Sequence, residues 1–109
     1  MSLVIHIYYT GEGDSAVKFA EEMMASGIAG EIRRKEGNLR YEYYYPADDP
    51  MTVLLIDEWA DQAALDEHHE SETMLRIMKL REKYDLHMKV ERLVTAEAGP
   101  EEDSMYIRS

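Results

Sequence analysis

The sequence predicts an α+β domain built around one antiparallel four-stranded sheet. Three observations predict it. Four segments are rich in β-branched and aromatic residues and are bounded by turn residues. Helical periodicity fills the gaps after the first and third of them, and only a short Pro-Asp turn separates the second from the third. At 109 residues the chain is of ordinary single-domain length.

The first strand spans Leu3 to Tyr9 (LVIHIYY) and ends at Gly11-Glu12-Gly13. Leu3, Ile5, Ile7 and Tyr9 share one face, and Val4, His6 and Tyr8 the other. Asp14 or Ser15 caps a helix running to about Ser26, with Gly27 just past its end. Its inward stripe is Val17, Ala20 and Met24, widened by Phe19 and Met23. Ile28 and Ile32, four apart, suggest a short second helix before the Gly37-Asn38 turn. The second strand is Leu39 to Tyr45, with Tyr41, Tyr43 and Tyr45 on one face. The Pro46–Pro50 turn leads to the third strand, Met51 to Trp59. Its alternate residues are apolar on both faces: Val53, Leu55 and Trp59 on one, Leu54 and Ile56 on the other. Both faces therefore need cover. Asp61 caps a short helix to about His68, and Ser71 caps another to about Tyr84 with Met74, Ile77, Met78 and Leu80 inward. The fourth strand is His87 to Thr95, with Met88, Val90 and Val94 on one face.

Counting the paired helices as one, the order is β-α-β-β-α-β, the ferredoxin-like split βαβ arrangement. Its helices cover one sheet face only. The apolar second face of the third strand then calls for another copy of the chain, and a two-fold homodimer is expected. The domain takes residues 1–96, and residues 97–109 form an acidic C-terminal tail.

The composition excludes several function classes. The net charge of −11, with no basic patch, argues against nucleic acid as a partner. The absence of cysteine removes disulfides, thiol nucleophiles and thiolate-held metals. No apolar run is long enough for a membrane span, no cationic segment opens a secretion signal, and a cytoplasmic location is expected. No metal-spaced His and carboxylate set, Gly-rich phosphate loop or Ser-nucleophile motif is present, so neither a metal nor another cofactor is expected.

One set of residues carries more information. Gly37, Leu39 and Tyr41 are followed by Asp49-Pro50, then Asp57-Glu58-Trp59, then His68 and Ser71. This G-x-L-x-Y, D-P, acid-x-W, W-x8-H-x-x-S series resembles the antibiotic biosynthesis monooxygenase family, including its quinol monooxygenase-like members, from about His6 to Thr95. The resemblance implies a dimeric α+β barrel and a pocket between sheet and helices in each protomer. It implies cofactor-independent oxidation of a small aromatic or quinol-like substrate by O₂. His68 matches the family's helix histidine, a group able to take a proton near neutral pH. It sits at a helix corner, where little core area is expected of it, and its neighbour His69 is expected to be solvated. His6, Tyr41, Tyr43 and Trp59 are the candidate substrate-binding residues. His6 lies where some relatives carry a pocket Asn, and Trp59 matches the family tryptophan. The same His, Trp and Tyr residues also suit a packed core. Asp57 stands where the family more often has Glu. Haem-degrading relatives need an iron-binding His on the last helix, and Glu70 to Leu86 contains none. Two other activities remain open. One is a proton-transfer isomerase of a small (phospho)ketone, disfavoured by few cations at predicted pocket positions. The other is a small-molecule-binding dimer without turnover.

Overall fold

A computed structural model describes residues 2–96 and 99–108. The elements are β1 (Leu3–Thr10), α1 (Ser15–Ala25), α2 (Ile28–Arg33), β2 (Asn38–Tyr44), β3 (Thr52–Trp59), α3 (Gln62–His69), α4 (Glu72–Lys83) and β4 (His87–Val94). A 3-10 helix, Glu101–Tyr106, follows, with no buried residue. The expected boundary after residue 96 falls at Glu97 and Ala98, which lie outside the described residues.

The sheet has the order β2-β3-β1-β4, antiparallel throughout. The two central strands are the two most apolar, because their inner faces are both covered by helices. Ile5 pairs with Asp57 and Leu3 with Trp59, and Asp57 pairs with Tyr41 across β2. The helix-side face therefore carries Ile5, Ile7, Tyr9, Val53, Leu55, Asp57, Trp59 and Tyr41, all buried. The other face carries Val4, His6, Tyr8, Leu54 and Ile56, each half-buried.

Three details depart from the sequence reading. In α1 the buried residues are Ala16, Phe19, Ala20 and Met23, while Val17 is half-buried and Met24 is 49% exposed. The helix is turned by about one residue, so that small Ala16 and Ala20 meet the sheet and Phe19 fills the space between. In α4 Met78 is exposed and Thr73 and Ile77 are buried. Tyr45 lies past the end of β2, so the tyrosine face is Tyr41 and Tyr43 only, and Tyr45 is exposed.

Candidate functional site

His68 is fixed by two capped helices. The Asp61 side chain accepts from Ala64 N and starts α3, and the Ser71 side chain accepts from Met74 N and starts α4. Ser71 Oγ also donates to the His68 carbonyl at 2.6 Å, which ties the corner together. The tight approach of α3 to the sheet depends on Gly37, whose φ is +87°. A Cβ there would lie 2.5 Å from Ala64 Cβ.

The imidazole of His68 is 4% exposed and lies flat on the Trp59 indole, with ring centres 4.9 Å apart and planes 22° from parallel. The helix-corner histidine is thus core, contrary to the little area expected of it. Lys35 Nζ lies 2.9 Å from His68 Nδ1 and donates to Ser71 Oγ at 2.8 Å. Burial first, and then the Lys35 charge, hold the His68 imidazole down at about 4, so the ring is neutral at physiological pH. Burial likewise lowers the Lys35 ammonium from its usual range. With an ammonium at Nδ1, the ring proton belongs on Nε2. Lys35, Trp59, Ala64, Glu67, His68 and Ser71 line a cavity of about 270 Å³.

The other sequence-predicted residues divide. Tyr41 and Tyr43 face the helices, their hydroxyls 3.4 Å apart and both raised above the ordinary phenol value by burial. They belong to an aromatic core in which Phe19 touches Tyr9, Tyr43 and Tyr84. His6 is not brought to the others. It lies on the opposite sheet face, its Nδ1 3.8 Å from a Glu91 carboxylate oxygen.

Three polar groups near the site exceed what the sequence reading assigned. Asp57 is 5% exposed, and burial raises its carboxyl to about 6 against the opposing pull of Trp59, Asn38, Arg81 and Lys35. Arg81 Nη2 donates to Tyr9 Oη at 2.9 Å. The third is Lys35. The expectation of few pocket cations therefore does not hold: Lys35 lines one cavity, and Arg81 and Arg92 line another. Arg81 was legible in principle, since it continues the inward Met74, Ile77 spacing by one turn. Lys35 carries no such signal, because it ends a basic run that reads as a solvated helix end. Among the described residues no three His, Cys, Asp or Glu side chains converge as a metal site, and no helix is long and apolar enough to cross a membrane.

The sequence profile of the antibiotic biosynthesis monooxygenase family matches residues 2–80. Among proteins of curated function, none matches the chain in sequence. Several solved structures share its fold. SnoaB, a cofactor-independent oxygenase from Streptomyces nogalater, aligns with a TM-score of 0.75 at 17% identity, covering 92% of this chain and 98% of its own. PA3566 from Pseudomonas aeruginosa gives 0.74 at 24% identity, covering 88% and 95%. Rv0793 from Mycobacterium tuberculosis gives 0.75 at 19% identity, covering 92% and 100%. With a profile match over most of its length and a fold shared with these structures, the chain belongs to the antibiotic biosynthesis monooxygenase family.

Proposed function

We propose that the protein is a cofactor-independent monooxygenase that oxidises a small aromatic or quinol-like substrate with O₂ and works as a homodimer. Family membership and the fold shared with the oxygenase SnoaB support monooxygenase chemistry in general. The observation that carries the finer reading is the buried, neutral His68 stacked on Trp59 at the wall of a cavity. An indole face favours a flat aromatic ligand. A phenol or anthrone becomes a one-electron donor to O₂ once it loses a proton. For a methylene between aromatic rings, R₂CH₂ + O₂ → R₂C=O + H₂O balances with no outside reductant. The protein's part is a dry cavity, orientation and proton transfer.

His68 is the proposed proton-transfer residue, and Lys35 qualifies how it works. The ammonium occupies the ring's free lone pair, so His68 accepts a proton only as Lys35 withdraws or gives up its own. The two therefore act as a pair. Trp59 is the proposed aromatic wall. Tyr41 and Tyr43 lie in the aromatic core with Phe19, and His6 lies on the open sheet face.

The test is O₂ consumption with an anthrone or hydroquinone substrate. His68→Gln keeps most of the ring's volume, whereas Ala would leave a void against Trp59. The variant is expected to lose about a hundredfold in turnover, the scale of a lost acid–base group. Because the imidazole is held near 4, the wild-type rate should rise through that region and be flat from pH 6 to 7. A folded His68→Gln with full activity would show that the ring is structural.

A further inference from the structure

Of the five lysines in the chain, Lys18, Lys79, Lys83 and Lys89 are exposed and Lys35 is half-buried. Lys18 pairs with Asp14 and Lys83 with Glu22. Lys35 has no ion-pair partner among the described residues. Its two close partners are uncharged, His68 Nδ1 at 2.9 Å and Ser71 Oγ at 2.8 Å. The Ser71 hydrogen goes to the His68 carbonyl, so Ser71 meets Lys35 as an acceptor. An ammonium brings three hydrogens to those two acceptors, whereas a free amine brings two. With both given to His68 and Ser71, the remaining tetrahedral position of the amine carries its lone pair. Lys35, His68 and Ser71 line the same cavity of about 270 Å³, so that lone pair has open space within reach.

The surroundings bring the free amine closer to neutral pH. Burial lowers the Lys35 ammonium first, and Arg76 on α4 adds to that. Glu31 on α2, Glu67 on α3 and Asp57 on β3 oppose it without cancelling it. His68 on α3 is neutral and supplies no charge to hold an ammonium. A desolvated lysine beside a cavity is a common setting for a nucleophilic amine. The rest of the lining limits what could enter. The stacked rings of Trp59 and His68 form a flat wall. Glu36 and Glu67, both exposed, complete the lining and disfavour an anion. An apolar cavity of about 150 Å³ takes benzene. The larger cavity here has room for a single-ring compound.

We propose that Lys35 is a nucleophilic amine that adds to a small, uncharged aldehyde in this cavity and forms a Schiff base. The nitrogen lone pair attacks the carbonyl carbon, and the C=O π pair moves to oxygen. The nitrogen turns cationic and sheds a proton towards His68 Nδ1, 2.9 Å away. That proton reaches the oxygen and gives a carbinolamine. The nitrogen pair then expels the oxygen as water, and the second N–H proton leaves with it. The balance is R–NH₂ + R′CHO → R–N=CHR′ + H₂O. Neither O₂ nor an electron acceptor enters, so the site stands apart from the oxygenase reading.

The probe is benzaldehyde with sodium cyanoborohydride, which reduces the imine to a stable benzylamine that peptide mapping locates. Side chains are compared with one another, because a terminal α-amino group reacts near neutral pH in any chain. At pH 7 Lys35 should be benzylated about tenfold or more faster than Lys18, Lys79, Lys83 or Lys89. Accessibility alone would make half-buried Lys35 the slowest of the five. Its lead should shrink towards about pH 10, where the exposed lysines also lose their protons. Glyoxylate, an anionic aldehyde, should give a smaller lead than benzaldehyde, because Glu36 and Glu67 repel it. Lys35→Arg keeps the positive charge and should abolish the fast adduct while the other four lysines react as before. Three results would overturn the proposal: folded wild-type protein in which Lys35 reacts no faster than the exposed lysines, a lead that is the same at pH 7 and pH 10, or a lead as large with glyoxylate. A fast Lys35 adduct without O₂ uptake on quinols would leave this site standing and sink the oxygenase reading. O₂ uptake without the adduct would do the reverse.

Discussion

Asp57 weakens the fold at neutral pH. Its carboxyl sits near 6 in the folded chain against an unperturbed 3.8, so the folded state holds its proton more tightly than the unfolded state. Stability from this group falls as pH rises from about 4 to 6 and stays low above that. His68 works in the other direction. Its folded value near 4 lies below the ordinary 6.5, so its contribution is complete above 6.5 and is lost as pH falls towards 4. Asp57→Asn should therefore stabilise the protein at pH 8, by an amount on the order of 1–3 kcal/mol. The advantage should vanish by about pH 4. Thermal melts of both proteins at three pH values check it, and an advantage independent of pH would mean that the buried charge is not the cause. At this scale Trp59 and His68 were legible, because their spacing is written in the chain. The depth of Asp57 was not, since an acid two residues before a strand-end Trp reads equally well as an exposed edge. Lys35 was hidden because its partners, His68 and Ser71, are more than thirty positions away.

The elements were legible to within a residue or two, since Gly, Pro and capping residues mark nearly every boundary. The helix faces were less so. Met recurs at 23, 24, 74 and 78, and hydrophobicity alone does not say which of two adjacent methionines turns inward. Close approach to the sheet settles it, through the small residues Ala16 and Ala20. The placement of α3 rests on the same kind of contact. Gly37 accepts from Ala60 N at 2.8 Å, has a left-handed backbone, and leaves no room for a Cβ beside Ala64. Gly37→Ala should therefore destabilise by roughly 1–3 kcal/mol, combining backbone strain with a clash against α3. Because α3 carries His68, the single tryptophan, Trp59, should report the shift by a changed emission spectrum. Melting and emission unchanged from wild type would mean that α3 yields to the added methyl without cost.

At the scale of the whole molecule, one sheet face carries no helix among the described residues. Val4, Tyr8, Leu54 and Ile56 are half-buried there, and Leu93 is 42% exposed. His6 pairs with Ile56 in register, near the centre of that face. Polar residues surround it, among them Glu42, Glu58, Lys89 and Glu91. Apolar side chains on the two central strands, mixed with polar ones and flanked by charged residues on the outer strands, are compatible with a protein interface. The proposed occupant is the same face of a second copy, related by a two-fold axis that brings each residue opposite its symmetry mate. Completing the burial of four or five such side chains on each protomer contributes about 1 kcal/mol apiece. Sedimentation equilibrium at micromolar concentration should give twice the 12.7 kDa chain mass. Ile56→Asp places a carboxylate at the centre of each face and opposes it to its own copy or to a neighbouring apolar side chain. That variant should sediment as a monomer and keep its far-ultraviolet dichroism, since Ile56 lies outside the helix-side core. A wild-type protein that sediments as a monomer would remove the dimer and leave the apolar face bare to water.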